Sequence, residues 1–131
     1  MTPDGRSDAV VAEIRLADEE LRAADQLLAA ALPRVALSRA YFAAFHAARA
    51  QLFAEGLEPK THAGVQHLFN LNLIRPGKYE VGISKLLARL QKFREEADYA
   101  TAFVVDDAGA REEVEAARRF VAQVRGHLAG S

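Results

Sequence analysis

The stretch from Ala40 to Phe53 restricts this chain more than any other. Within it only His46, Arg49 and Gln51 are clearly polar. A helix that is apolar nearly all round must be covered on most sides, so it belongs inside a bundle. At 100° per residue, Tyr41, Phe45, Ala48 and Leu52 form one stripe, the expected core face. Arg39 and His46 fall almost opposite, within ~20° of each other and about 10 Å apart along the axis. Ala43 and Ala50 flank them and are small enough to let a second helix come close. Burying an unpaired guanidinium costs roughly 3–5 kcal/mol. Arg39 is therefore expected to have an acid partner, a wet cleft or a bound anion.

The remaining punctuation is helical too. Ser7 or Asp8 is the expected cap of a first helix whose stripe runs Val10, Ile14, Ala17, Leu21, Ala24, Leu28, Leu32. Glu13, Asp18, Glu20 and Asp25 lie off that stripe. Pro33 breaks the first helix and suits the first turn of the second, which stops near Gly56. Thr61 is the expected cap of a short third helix closed by Arg75-Pro76-Gly77. A fourth runs from about Tyr79 with Ile83, Leu86, Leu87, Leu90, Phe93 and Ala97 on one face. Residues 101–105 read as a linker. Asp106 or Asp107 opens a last helix, carrying Val114, Ala117, Val121, Val124 and Leu128 and ended by Gly130. The pattern predicts an all-α fold, an antiparallel up-and-down bundle of four long helices plus one short helix.

A chain of 131 residues, 50% apolar and 27% charged, is expected to be one domain over 1–131 with its core at about 8–129. The net charge of −1 argues against whole-protein attraction to nucleic acid or acidic membranes and leaves local basic patches open. With no cysteine there is no disulfide, thiolate zinc site or cysteine nucleophile. No apolar run approaches ~18 residues and the N-terminus lacks a basic-then-apolar leader, so the expected location is cytoplasmic, with no membrane partner.

Outside the Arg39/His46 stripe the candidates are weaker. Lys60-Thr61-His62 opens the third helix, where free N–H groups favour an anion, although a cap beside solvated basic residues is the simpler reading. Arg94 and Asp98 stand i, i+4 and are expected to pair, with Tyr99 packed nearby. His62 and His67 point in different directions and no Glu-x-x-His occurs, so neither a metal site nor a cofactor is expected.

Three segments together resemble the HEPN family, in its short stand-alone bacterial and archaeal branch. They are Ser38-Arg-Ala-Tyr-Phe-Ala-Ala-Phe-His-Ala-Ala-Arg-Ala50, Gly56-Leu-Glu-Pro-Lys-Thr-His-Ala-Gly64 and Phe93-Arg-Glu-Glu-Ala-Asp-Tyr99. The resemblance covers about residues 10–125. It implies a homodimeric helical bundle, often encoded beside a minimal nucleotidyltransferase as a toxin–antitoxin pair. Active members of the family are metal-independent RNases whose signature is an arginine followed by a histidine with four to six residues between them. Only Arg39 and His46 fill that signature, with six residues between, and Ala40 stands where a polar residue usually follows the arginine.

On that resemblance Arg39 and His46 are the catalytic candidates. Arg49, Lys60, Thr61 and His62 are candidates for guiding RNA or a nucleotide such as ATP. Tyr99, with Arg94 and Asp98, is the candidate for modification or support. Three functions remain open from sequence: an endoribonuclease toxin cutting single-stranded RNA, a non-catalytic subunit that binds nucleotide or the nucleotidyltransferase, and a purely structural dimeric bundle. Ala40 favours the second.

Overall fold

The computed structural model describes residues 1–100 and 103–130. Among the described residues five α-helices follow in order: α1 (Pro3–Ala29), α2 (Pro33–Ala54), α3 (His62–Phe69), α4 (Val81–Tyr99) and α5 (Asp107–Ala129). The described residues contain no strand. Of the expected linker, Thr101 and Ala102 lie outside the described residues, and residues 103–105 are irregular.

α2 is the central element, packed most extensively on α1 and then on α5 and α4. Ala36, Ala40, Ala43, Ala44, Ala47, Ala48 and Ala50 have no exposed surface. Alanine on nearly every side keeps the neighbouring backbones close, and larger residues from those neighbours fill the space. Leu21 and Leu28 enter from α1, Leu90 from α4, and Val114, Phe120 and Val121 from α5. Each such side chain contributes about 1.5–3 kcal/mol through its removal from water.

The bundle is antiparallel where ion pairs mark its register. Glu13 pairs with His46 and Glu20 with Arg39 between α1 and α2. Asp18 pairs with Arg125 and Asp25 with Arg118 between α1 and α5. α2 and α5 both run opposite to α1.

Local chemistry fixes the helix ends. Pro33 begins α2, Thr61 Oγ1 accepts from Gly64 N at 2.8 Å to start α3, and Asp106 Oδ1 accepts from Gly109 N at 2.7 Å to start α5. Gly56 takes φ +84° after α2, a conformation that costs glycine little. Three expectations shift. α1 starts at Pro3 with Thr2, not Ser7 or Asp8, as its cap, because Thr2 Oγ1 accepts from Gly5 N and proline suits the first turn. Leu32 leaves the stripe, 47% exposed, because α1 ends at Ala29 and Ala31 turns at φ +59°. Tyr79 precedes α4 but is buried, its hydroxyl donating to Gln51 Oε1 at 2.8 Å. After α3 the chain widens into a π-turn over Asn70–Ile74, with Arg75 N bonded to Asn70 O at 3.0 Å.

Candidate functional site

α2 has one flank that the bundle does not fully cover. Along it lie Arg39, Phe42, Phe45, His46 and Arg49, all half-buried. The acid partner that Arg39 requires is Glu20 on α1, whose Oε1 and Oε2 accept from Nη1 at 3.2 and 2.9 Å. His46 is held the same way one heptad on, with Nδ1 at 2.7 Å from Glu13 Oε2. Glu13 is buried, and its Oε1 accepts from Arg49 Nη1 at 3.1 Å. Two carboxylates of α1 thus hold the two motif residues of α2. Glu20 engages Arg39 through Nη1 alone, so that pair leaves the Nη2 and Nε edges of the guanidinium uncommitted. The side chains of Arg39 and His46 keep 34% and 18% of their surface exposed.

Aromatic rings line the same flank. The Arg39 guanidinium lies 5.0 Å from the Phe42 centroid, and that of Arg49 lies 4.9 Å from Phe53. Arg94 approaches from α4, 5.2 Å from the Tyr41 ring and 5.6 Å from Phe42. His62, at the start of α3, stacks on Phe45 at 4.4 Å, and Phe45 meets His46 edge-on at 5.3 Å. Three cations, two histidines and exposed ring surface therefore share one face, although the chain as a whole is slightly acidic.

The two groups bonded to each other here titrate away from their ordinary values. Burial pushes the Tyr41 phenol up to about 12, partly opposed by the Arg94 charge. His62 is shifted down, first by burial and then by the nearby charges of Arg94, His46 and Arg49. Tyr41 Oη and His62 Nδ1 are 2.5 Å apart. A phenol donating to the bare Nδ1 of a neutral imidazole satisfies both.

The other candidates fall unevenly around this face. His62 joins it through Phe45, and Arg49 joins it through Glu13. Thr61 is used as a helix cap, and Lys60 is exposed in the preceding loop. Arg94 Nη1 donates to Asp98 Oδ2 at 3.2 Å, and Ser38 Oγ donates to Asp98 Oδ1 at 3.1 Å, tying α4 to α2. Tyr99 does not pack beside that pair. It is 79% exposed, because the end of α4 turns it to solvent. Ala40 is fully buried, so the position after Arg39 belongs to the core and not to the open flank.

Sequence reasoning missed Glu13, Glu20, Ser38 and Arg34, the last of which donates to the carbonyls of Ala97 and Ala100 at the end of α4. The two glutamates read as solvated polar positions. Their spacing of seven, matching that of Arg39 and His46, was the available signal. No group of three or more His, Asp or Glu side chains able to hold a metal ion occurs among the described residues. No helix of the described residues is long and apolar enough to cross a membrane.

Fold and site together define a class: small helical bundles whose buried second helix turns an arginine and a histidine onto one half-open flank. The chain belongs to the HEPN domain family, which matches it over residues 11–127. Among curated relatives, a Methanocaldococcus jannaschii protein named "Putative toxin" is 38% identical over 94 residues, 72% of this chain and 70% of that one. A second "Putative toxin" of the same organism is 28% identical over 86 residues, 66% of this chain and 58% of its own length. A UPF0332 protein of Pyrococcus horikoshii is 38% identical over 80 residues, 61% of this chain and 56% of that one.

Proposed function

We propose that this protein is the toxin component of a HEPN/nucleotidyltransferase pair, a homodimeric, metal-independent endoribonuclease acting on single-stranded RNA. The observation that carries the reading is the shared open flank of Arg39 and His46, each oriented by an α1 carboxylate and bordered by cations and aromatic rings. The toxin names of two relatives support it.

The chemistry asks for three things. A base removes the 2′-hydroxyl proton, and the freed oxygen attacks the adjacent phosphorus. A cation stabilises the charge that develops on the phosphorane. An acid protonates the departing 5′-oxygen, leaving a 2′,3′-cyclic phosphate. Arg39 serves as the cation through the edges that Glu20 does not occupy. An imidazole exchanges protons near neutral pH, and a two-fold seam brings two copies of His46, one as base and one as acid. Phe42, Phe45 and His62 offer ring faces to unpaired bases, and Arg49 and Arg94 offer charge to the backbone.

The test is cleavage of single-stranded RNA by the purified protein in the presence of chelator. Arg39→Ala and His46→Ala should each abolish cutting, and wild-type-like cleavage by both would dismiss the site. The second reading, a non-catalytic subunit, rests on Ala40, which stands where a polar residue usually follows the arginine and is fully buried. In that case thermal stabilisation by ATP or by the nucleotidyltransferase persists in His46→Ala, and no RNA is cut.

A further inference from the structure

We propose that Glu13 is the positioning residue for His46: it fixes the proton on Nδ1 and presents Nε2, unprotonated, to the open flank. This rests on the same site as the proposed function and deepens it.

The argument begins with the donor and acceptor capacity of each group. Glu13 projects from α1 into the α1/α2 seam and is 7% exposed. Its Oε1 accepts from the Arg49 guanidinium, which compensates the carboxylate charge, and its Oε2 faces His46 Nδ1 at 2.7 Å. An ionised carboxylate can only accept, so the proton between Oε2 and Nδ1 sits on the imidazole. A neutral imidazole carries one N–H, which leaves Nε2 with its lone pair, on the side of the ring away from Glu13. The Phe45 edge contact at 5.3 Å adds a steric limit on ring rotation. A histidine meant only to fill a seam needs neither a nearly buried acid nor a defined tautomer. One meant to take a proton from a bound hydroxyl needs both, because orientation and tautomer together set whether the lone pair meets the substrate.

The experiment reads the tautomer directly. Long-range ¹H–¹⁵N spectra of protein labelled at histidine, recorded at about pH 8.5 where imidazoles are neutral, report which ring nitrogen of His46 is protonated. His46→Gln identifies its signals among the four histidines. The expected result is Nδ1–H in the wild type, with a shift toward Nε2–H, the form free histidine prefers, in Glu13→Ala. An Nε2–H form in the wild type overturns the proposal, and so does an unchanged tautomer in the variant. The wild-type spectrum alone decides the matter should Glu13→Ala fail to fold. Where RNA is cut, Glu13→Ala lowers kcat by about 10²-fold with little change in KM, and a rise in KM alone counts against positioning. Wild-type protein that cuts no RNA removes the ribonuclease reading and leaves the tautomer result standing.

Discussion

Tyr41 and His62 are joined hydroxyl to imidazole across 2.5 Å, a hydrogen bond that ties the core face of α2 to the first residue of α3. Its pH consequence follows from the direction of the His62 shift. The folded value lies below the ordinary histidine value of about 6.5, so below that pH the unfolded chain binds more protons than the folded one. The His62 contribution is fully present above about pH 6.5 and is lost as the pH falls toward the folded value. Urea denaturation at mildly acidic and neutral pH should therefore show a stability gap that narrows in His62→Asn. An equal gap in both proteins contradicts this account.

Arg39→Ala and Glu20→Ala should each lower stability by about 1 kcal/mol, since the pair is charged, doubly bonded and half-exposed. The double variant should lose less than the sum, and the coupling measured in a double-mutant cycle isolates the pair. On the proposed ribonuclease function Arg39→Ala removes RNA cleavage and Glu20→Ala lowers it, because Glu20 orients the guanidinium through Nη1.

Ala43→Leu should destabilise the fold by about 1–3 kcal/mol, the usual result of forcing a larger side chain into a close-packed site. Ala43 has no exposed surface and belongs to the buried core of the bundle, so the added atoms displace packed side chains. Thermal denaturation of this variant beside the wild type provides the check.

Gly56→Ala should cost about 1 kcal/mol, because φ +84° is strained for any residue with a Cβ. The added methyl would also meet the Arg6 guanidinium at 3.2 Å. A neutral effect in urea denaturation would show that this turn can relax.

The fold was legible because its signals are local. The near-absence of polar residues from Ala40 to Phe53 required a covered helix, and the ends are marked by Pro33 and Gly130 through their backbones and by Thr61 and Asp106 through side-chain caps. The start of α1 was misread because Ser7 and Asp8 are strong capping types, while Pro3 after Thr2 carried the decisive cue. Half of the site was legible as well: Arg39 and His46 share a face by spacing alone. What holds them was not, since Glu13 and Glu20 become partners only after α1 folds back along α2, and one helix read alone shows them as solvent-facing acids. The stacking of His62 on Phe45 likewise depends on how the loop over residues 56–61 returns α3 to α2.

Glu13 faces His46 and Glu20 faces Arg39 at the same offset between two antiparallel helices, so both pairs keep step with one another. A residue gained or lost between Arg39 and His46 would swing one of them a quarter-turn from its acid while the other stayed put. The spacer cannot drift alone. A change of its length survives only if the first helix is edited to match, which makes the α1/α2 hairpin a single heritable unit.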